Sequence, residues 1–382
     1  MKKRILIHNK NHNMKPNNCT LLIDGNWLLM SRIFSGKDIS MRFAKGSSQA
    51  RLNAAKETLK DMMATSINKI INKMPFIDNI VLVTDGGSWR KQLAIPKQLG
   101  DITYKGNRNN DALDVDWDYA FGALKELAKS CNEAGVTTCT QYNIEGDDWI
   151  WYWSRVLNAQ GVNCVVWSID NDLRQLVQCV DGAFTAWLSE RNNIYTLALP
   201  KSLEEIVPDP EDLDFLMTPP TYKPATQVQL EEIAGSVMYT DPNEVINDKV
   251  ICGDKGDNIQ SIARKFKNGR KFGIGPKDFE KLTTNLNIKT INDIINHQDE
   301  IANYIINMKK FADADLTITK IKEMIEYNVK LVWLNEAVIP ETITTIMNTQ
   351  EYRVVNMDYI RGSYKTLLEQ DNDIEEIFEG AI

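Results

Sequence analysis

Residues 20–27 read TLLIDGNW, a short apolar run that stops on an aspartate and a glycine. Such a run, without the alternation of a half-exposed strand, marks a strand buried on both faces, as in a parallel sheet. Three further runs, 79–84, 136–141 and 163–168, have the same character, and helix-like patterns over 50–73, 115–134 and 147–159 lie among them. Strands alternating with helices imply an α/β domain whose central, mostly parallel sheet is flanked by helices.

What closes these runs is acidic. Asp24 ends the first and Asp85 the second; Glu145, Asp147 and Asp148 open the helix after the third; Asp170 and Asp172 follow the fourth. Open α/β sheets bind ligands outside the carboxyl ends of their strands, so these acids are expected to converge. Carboxylates gathered without partners repel one another unless a cation sits among them. An all-oxygen donor set suits Mg²⁺ or Mn²⁺, not zinc or copper.

Composition narrows the chemistry. The 382 residues are 43% hydrophobic, enough for a sizeable core and two domains. No apolar run approaches the ~20 residues of a membrane span, and the basic start, 1–18, reads as a flexible tail, not a signal; a cytoplasmic, monomeric protein is expected. The six cysteines form no CxxC pair, and of the three histidines His8 and His12 lie in the tail while His297 stands alone. That pattern argues against a zinc finger and a histidine-based triad. Net charge is −8, yet basic residues cluster. Arg90, Lys91, Lys97, Lys105 and Arg108 face the single acid Asp101 within 86–110, and Arg264, Lys265, Lys267, Arg270 and Lys271 run without an acid. Alone, each run reads equally as a solvated face.

The sheet-bearing region is expected to span 19–249, with an arch over about 86–140 and a proline-rich excursion over 200–242 (Pro200, Pro208, Pro210, Pro219, Pro220, Pro224, Pro242). The next section, 250–345, is helical in pattern and contains GDKGDN (253–258) and GIGPK (273–277). A C-terminal extension, 346–382, ends in an acidic stretch carrying Ile374, Ile377 and Phe378. That stretch reads as a solvating end or, more sharply, as a peptide for a sliding clamp or similar partner. Trp149, Trp151 and Trp153 read as core on a buried helix, and Trp89 as either core or wall of a single-strand passage.

Taken in order, these elements resemble the 5′-nuclease (flap endonuclease) superfamily with its PIN-like catalytic domain, and within it the T-even-type phage ribonuclease H branch of 5′→3′ exonucleases. LLIDGNW, VTDGGSWRKQL, ITYKGNR, IEGDDWI, SIDNDLRQL, GDKGDN and GIGPK are each similar to a family element, and the likeness runs from about 20 to 345. The basic 262–272 segment and the proline-rich stretch depart from the compact members. The resemblance implies a helix–three-turn–helix DNA-binding domain at 250–345 and hydrolysis by two Mg²⁺ ions, for which Mn²⁺ can substitute. Asp24, Asp85, Asp147, Asp148 and Asp170 would hold the first ion. Asp172, Asp254 and Asp257 would hold or orient the second, and Glu145 would serve either. Lys105 and Arg108, read at helical spacing, would neutralise the scissile phosphate, and Tyr104 would stack on a terminal base. Gly273, Gly275 and Lys277 would grip duplex phosphates beside a K⁺ ion. Arg90, Lys91 and the 264–271 bases would extend that contact.

The implied substrates are DNA and RNA–DNA hybrids with 5′ ends or flaps, cleared during replication beside a clamp or single-strand-binding protein. Two other readings are a PIN-type endoribonuclease and a non-catalytic junction- or replisome-binding protein.

Overall fold

The computed structural model describes residues 19–35, 42–108, 114–180, 183–191, 194–201, 236–267 and 270–361. The basic tail, most of the proline-rich excursion and the acidic C-terminal stretch lie outside them. The first half alternates β1 (Cys19–Asp24), α1 (Gly25–Ile33), α2 (Gln49–Lys73), β2 (Asn79–Val83), α3 (Trp117–Glu133), β3 (Thr137–Cys139), α4 (Gly146–Asn158) and β4 (Asn163–Trp167). β5 (Gln178–Val180), β6 (Ala183–Arg191), β7 (Ile194–Pro200) and β8 (Ser236–Thr240) follow. They join one sheet of order β3-β2-β1-β4-β6-β7-β8, with β5 paired to β6. The pairings β3-β2-β1-β4-β6 and β7-β8 are parallel; β6-β7 and β5-β6 are antiparallel. The mostly parallel sheet is therefore as expected, and β5–β8 are additions to the four strands read from the sequence.

The strand periodicity of two sorts apolar side chains into two layers. Leu21, Ile23, Ile80 and Leu82 pack with α1, α2 and α3, whereas Leu22, Val81 and Val83 pack with α4 and its tryptophans. Leu21, Leu22 and Ile23 are wholly buried, which is why β1 reads as a continuous apolar run. Trp149, Trp151 and Trp153 are core residues.

A third core belongs to α5 (Pro242–Cys252), α6 (Pro276–Leu286), α7 (Ile291–Asn296), α8 (Gln298–Ile306) and α9 (Ile318–Val332), followed in the chain by α10 (Glu341–Met347). One expectation here needs correction. The basic segment is not helical: β9 (Arg264–Lys267) and β10 (Arg270–Gly273) form an antiparallel ribbon pairing Arg270 with Lys267 and Phe272 with Lys265. RKFK-NG-RKFG carries the Asn-Gly pair that two-residue hairpin loops prefer, a signal its charges obscure.

Candidate active site

Four acids stand at the carboxyl edge of the sheet, where β1, β2 and β4 end and α4 begins. Asp24 is the last residue of β1 and caps α1, its Oδ1 accepting from the Trp27 N–H (2.9 Å) and its Oδ2 from the Ser168 hydroxyl (2.8 Å). Asp85 follows β2 and accepts from the Gly146 N–H (2.6 Å) and from Asn26 Nδ2 (2.7 Å). Asp147 lies in the first turn of α4. Asp170 follows β4 and accepts from the Asp172 N–H (2.9 Å). The packing permits no bulk behind Asp85: a Cβ on Gly86 would fall 1.8 Å from the Gln141 carbonyl oxygen.

Burial raises the proton affinity of all four, and neighbouring acids add to it. Burial, then the neighbouring Asp85 and Asp170, push Asp24 up to about 7, against hydrogen bonds from Trp27 and Ser168 that favour its anion. Desolvation followed by Asp170, Asp24 and Glu145 drives Asp147 well above the carboxylate range, and desolvation also raises Asp85 and Asp170. Among the described residues no cation forms an ion pair with any of the four. Like charges held together in this way call for a positive ion.

The remaining acids already have internal cations. Glu145 accepts from Lys105 Nζ (2.5 Å) and Arg90 (2.7 Å), and those charges hold it below the carboxylate range although burial opposes them. Asp257 accepts from Arg108 (2.5 Å) and from the Tyr104 hydroxyl (3.3 Å), with Lys105 at 3.9 Å. Lys249, on α5, joins Asp172 to Asp254. Backbone stitching makes this meeting specific. The Lys105 N–H donates to the Asp257 carbonyl (2.8 Å), Asn258 Nδ2 to that of Thr103 (2.8 Å), and Asn107 Nδ2 to that of Lys255 (2.9 Å). GDKGDN is thereby bound to the Tyr104–Lys105 turn. Asn328, fully buried, ties α9 to the Val250 and Gln260 carbonyls on either side.

Several expected roles change. Asp148 is fully buried, with its oxygens taken by both Arg90 nitrogens (2.7 and 3.0 Å) and by Trp89 Nε1 (3.0 Å), so it anchors Arg90 and has no oxygen turned to an ion. Arg90, 2% exposed, therefore braces the site from within and cannot serve as a surface contact for DNA. Trp89 is core, stacked against Arg90 at 4.6 Å. Tyr104 is buried as well, its hydroxyl turned to Asp257, which leaves no ring face for a base. Lys105 and Arg108 do converge, but not through helical spacing: Lys105 has φ of 56° and sits in a turn. Lys249, which links two of these acids, is not among the residues that the sequence pointed to. Its only signal was its place five residues before Asp254.

The other basic residues sit apart from this group. Lys91 is exposed beside Arg90. Arg264 donates to the Gln98 carbonyl and Lys265 to Asp313 (3.1 Å). The side chains of Lys267, Arg270 and Lys271 fall outside the described ones. Gly273 and Gly275 precede α6, whose first turn exposes Lys277, and Lys310 closes the turn through the Gly273 carbonyl (2.8 Å) and Asp278 (2.5 Å). All six cysteines are free thiols, and no helix among the described residues is long and apolar enough to cross a membrane.

The donor chemistry fits a hard divalent ion. Among the described residues no three acid, histidine or cysteine side chains make a ready-built cage. Mg²⁺ retains several of its waters and takes one or two direct carboxylates, so an open arrangement of mutually repelling acids is one it can enter.

No protein-family model and no curated protein sequence matches the chain. Its architecture does match solved structures. A T5 protein co-crystallised with metal ions superposes with a TM-score of 0.52 at 17% identity, covering 87% of this chain and 97% of the other. The chain shares that protein's fold. The bacteriophage T5 flap endonuclease in complex with DNA and metal ions gives a TM-score of 0.50 at 17% identity over the same shares of both chains. The T5 5′-exonuclease with bound zinc gives 0.50 at 16%. At 87% of this chain, the match extends beyond the sheet into the helical region.

Proposed function

We propose that the protein is a divalent-metal-dependent 5′ nuclease that hydrolyses phosphodiesters in DNA and RNA–DNA hybrids bearing 5′ ends or flaps. The observation that carries this reading is the set of four carboxylates, Asp24, Asp85, Asp147 and Asp170. They converge on one edge of the sheet with no ion-pair partner among the described residues, within reach of the charges of Lys105 and Arg108. The T5 neighbours that share the fold are described with metal ions and, in one case, with DNA.

In this reading Asp24, Asp85, Asp147 and Asp170 hold the first ion, Asp172, Asp254 and Asp257 the second, and Glu145 lies between them. Bound divalent ions would polarise the scissile phosphate and make water a nucleophile near neutral pH. The chain's own groups do the rest. Lys105 and Arg108, now turned to Glu145 and Asp257, are the cations that would meet the phosphate's charge. Arg90, locked by Asp148, fixes Glu145 and the start of α4. The α6 N-terminus with Lys277 would receive phosphates of the duplex arm, as helix starts do, and the basic ribbon would lengthen that contact. A K⁺ ion at the GIGPK turn and a role in primer removal rest on the sequence resemblance alone.

The test is to incubate the full chain with 5′-flap, nicked-duplex and RNA–DNA hybrid substrates in Mg²⁺ and in EDTA. Cleavage in Mg²⁺ alone, releasing fragments from the 5′ end, is expected. Binding without cleavage would favour a junction-binding protein, and cleavage of single-stranded RNA alone a PIN-type ribonuclease.

A further inference from the structure

Lys249 holds a position that the proposed function leaves unexplained. Its ammonium contacts Asp172 Oδ1 and stands 2.5 Å from Asp254 Oδ2, linking the segment after β4 to the segment after α5. The Asp254 carboxylate also accepts from backbone N–H groups of its own turn, those of Gly256 (2.7 Å to Oδ1) and Asp257. Asp172 and Asp254 are two of the three acids assigned above to the second ion. We propose that Lys249 is the resident counter-cation of that second position, and that the second divalent ion binds there only by displacing it. The inference rests on the metal-dependent reading above.

The internal cations are not alike. Arg90 is 2% exposed and held by two nitrogens, and Lys105 is 14% exposed and seated on Glu145. Neither can leave without stranding a buried carboxylate. Lys249 is 20% exposed and its partners 19% and 21%, so all three groups already touch water. A lysine is a compact charge on a flexible four-carbon stem, which can swing outward at small cost once another cation takes over its acids. An ion entering beside an unmoved ammonium would meet like charge at a few ångströms. At the first position, among Asp24, Asp85, Asp147 and Asp170, no ammonium forms an ion pair among the described residues, and the charge of Lys249 reaches it only through Asp170. Two ions of unequal affinity follow, and the inequality originates in Lys249.

Mn²⁺ binding to the full chain measures this directly, by titration calorimetry and by water-proton relaxation, both independent of cleavage. Wild type is expected to show a tighter and a weaker class of site. Lys249→Met, which keeps the stem and removes the charge, should tighten the weaker class about tenfold or more, the order that one unit charge at this range implies. The tighter class should shift much less, since Lys249 reaches it only through Asp170. Lys249→Arg should leave the weaker class weak. Lys249→Gln is the second neutral variant if Met compromises folding. A weaker class equally weak, or weaker, in both neutral variants would overturn the role of Lys249 while leaving the metal reading intact. Absence of Mn²⁺ binding in every form would instead remove the metal reading, and this inference with it.

Discussion

Asp24 is 9% exposed, and both its oxygens accept hydrogen bonds that favour the anion, yet its ionised form is costly because it is buried and Asp85 and Asp170 face it. An acid whose folded-state pKa is raised contributes stability that is full below its unfolded pKa and is lost as pH climbs through the folded value. For Asp24 that window runs from the ordinary 3.8 to about 7. Asp85, Asp147 and Asp170 shift in the same direction. Glu145 and Asp254 shift the other way, so their contribution is lost only at more acid pH. In EDTA, thermal melting should therefore show stability falling from pH 5 to pH 8. Asp24→Asn, which can still cap α1, should flatten that slope and melt higher than wild type at pH 8. An unchanged slope would mean that the four acids do not strain the metal-free protein. At Arg90 the expectation is opposite in sign. Arg90→Ala leaves Asp148 charged and buried without its ion-pair partner, a loss of about 3–5 kcal/mol readable by denaturant unfolding. Loss of a mere surface cation would instead leave stability nearly untouched. The acids of the site were legible because each terminates an apolar run. The destinations of Arg90 and Asp148 were not, since WRK looks like any basic surface run and nothing in sequence tells a paired buried carboxylate from an open one.

At the scale of elements, legibility followed burial. β1, β2 and β4 each hold an unbroken apolar run (Leu21–Ile23, Ile80–Val83 and Cys164–Trp167), and α2, α3 and α4 carry clear helical patterns. β6 and β7 escaped because Thr185 and Thr196 break their apolar runs and neither strand ends on a site acid. The β9–β10 ribbon escaped because charge was read before period. Its bases make a testable claim. Each phosphate that the protein ceases to neutralise should lower the slope of log affinity against log salt by about 0.9. Replacing Lys267, Arg270 and Lys271 with Gln should thus flatten the salt dependence of duplex binding in fluorescence anisotropy, leaving turnover at saturating substrate near wild type. An identical slope would assign the ribbon to solvent. The turn after β2 makes another claim. Gly86→Ala would drive a Cβ into the Gln141 carbonyl, which is backbone and cannot rotate away. A loss of about 1–3 kcal/mol with a larger fall in cleavage than in binding is expected, because the displaced turn carries Asp85.

Over the whole molecule, two layers around a mostly parallel sheet and a separate helical core meet where GDKGDN is sewn to the Tyr104–Lys105 turn. That seam brings acids from residue 24 to residue 257 onto one edge, and no single motif could have shown it. In the proposed function, the four acids that have no ion-pair partner among the described residues form the ion-binding heart of the nuclease. The most direct measurement is cleavage of one 5′-labelled flap duplex in Mg²⁺ by wild type, Asp85→Asn and Asp170→Asn, with melting confirming that each is folded. Cleavage by wild type is expected, with a loss of at least about a hundredfold in both variants, the order seen when charge stabilisation of the transition state is removed. Folded variants that cut as fast as wild type would contradict that role.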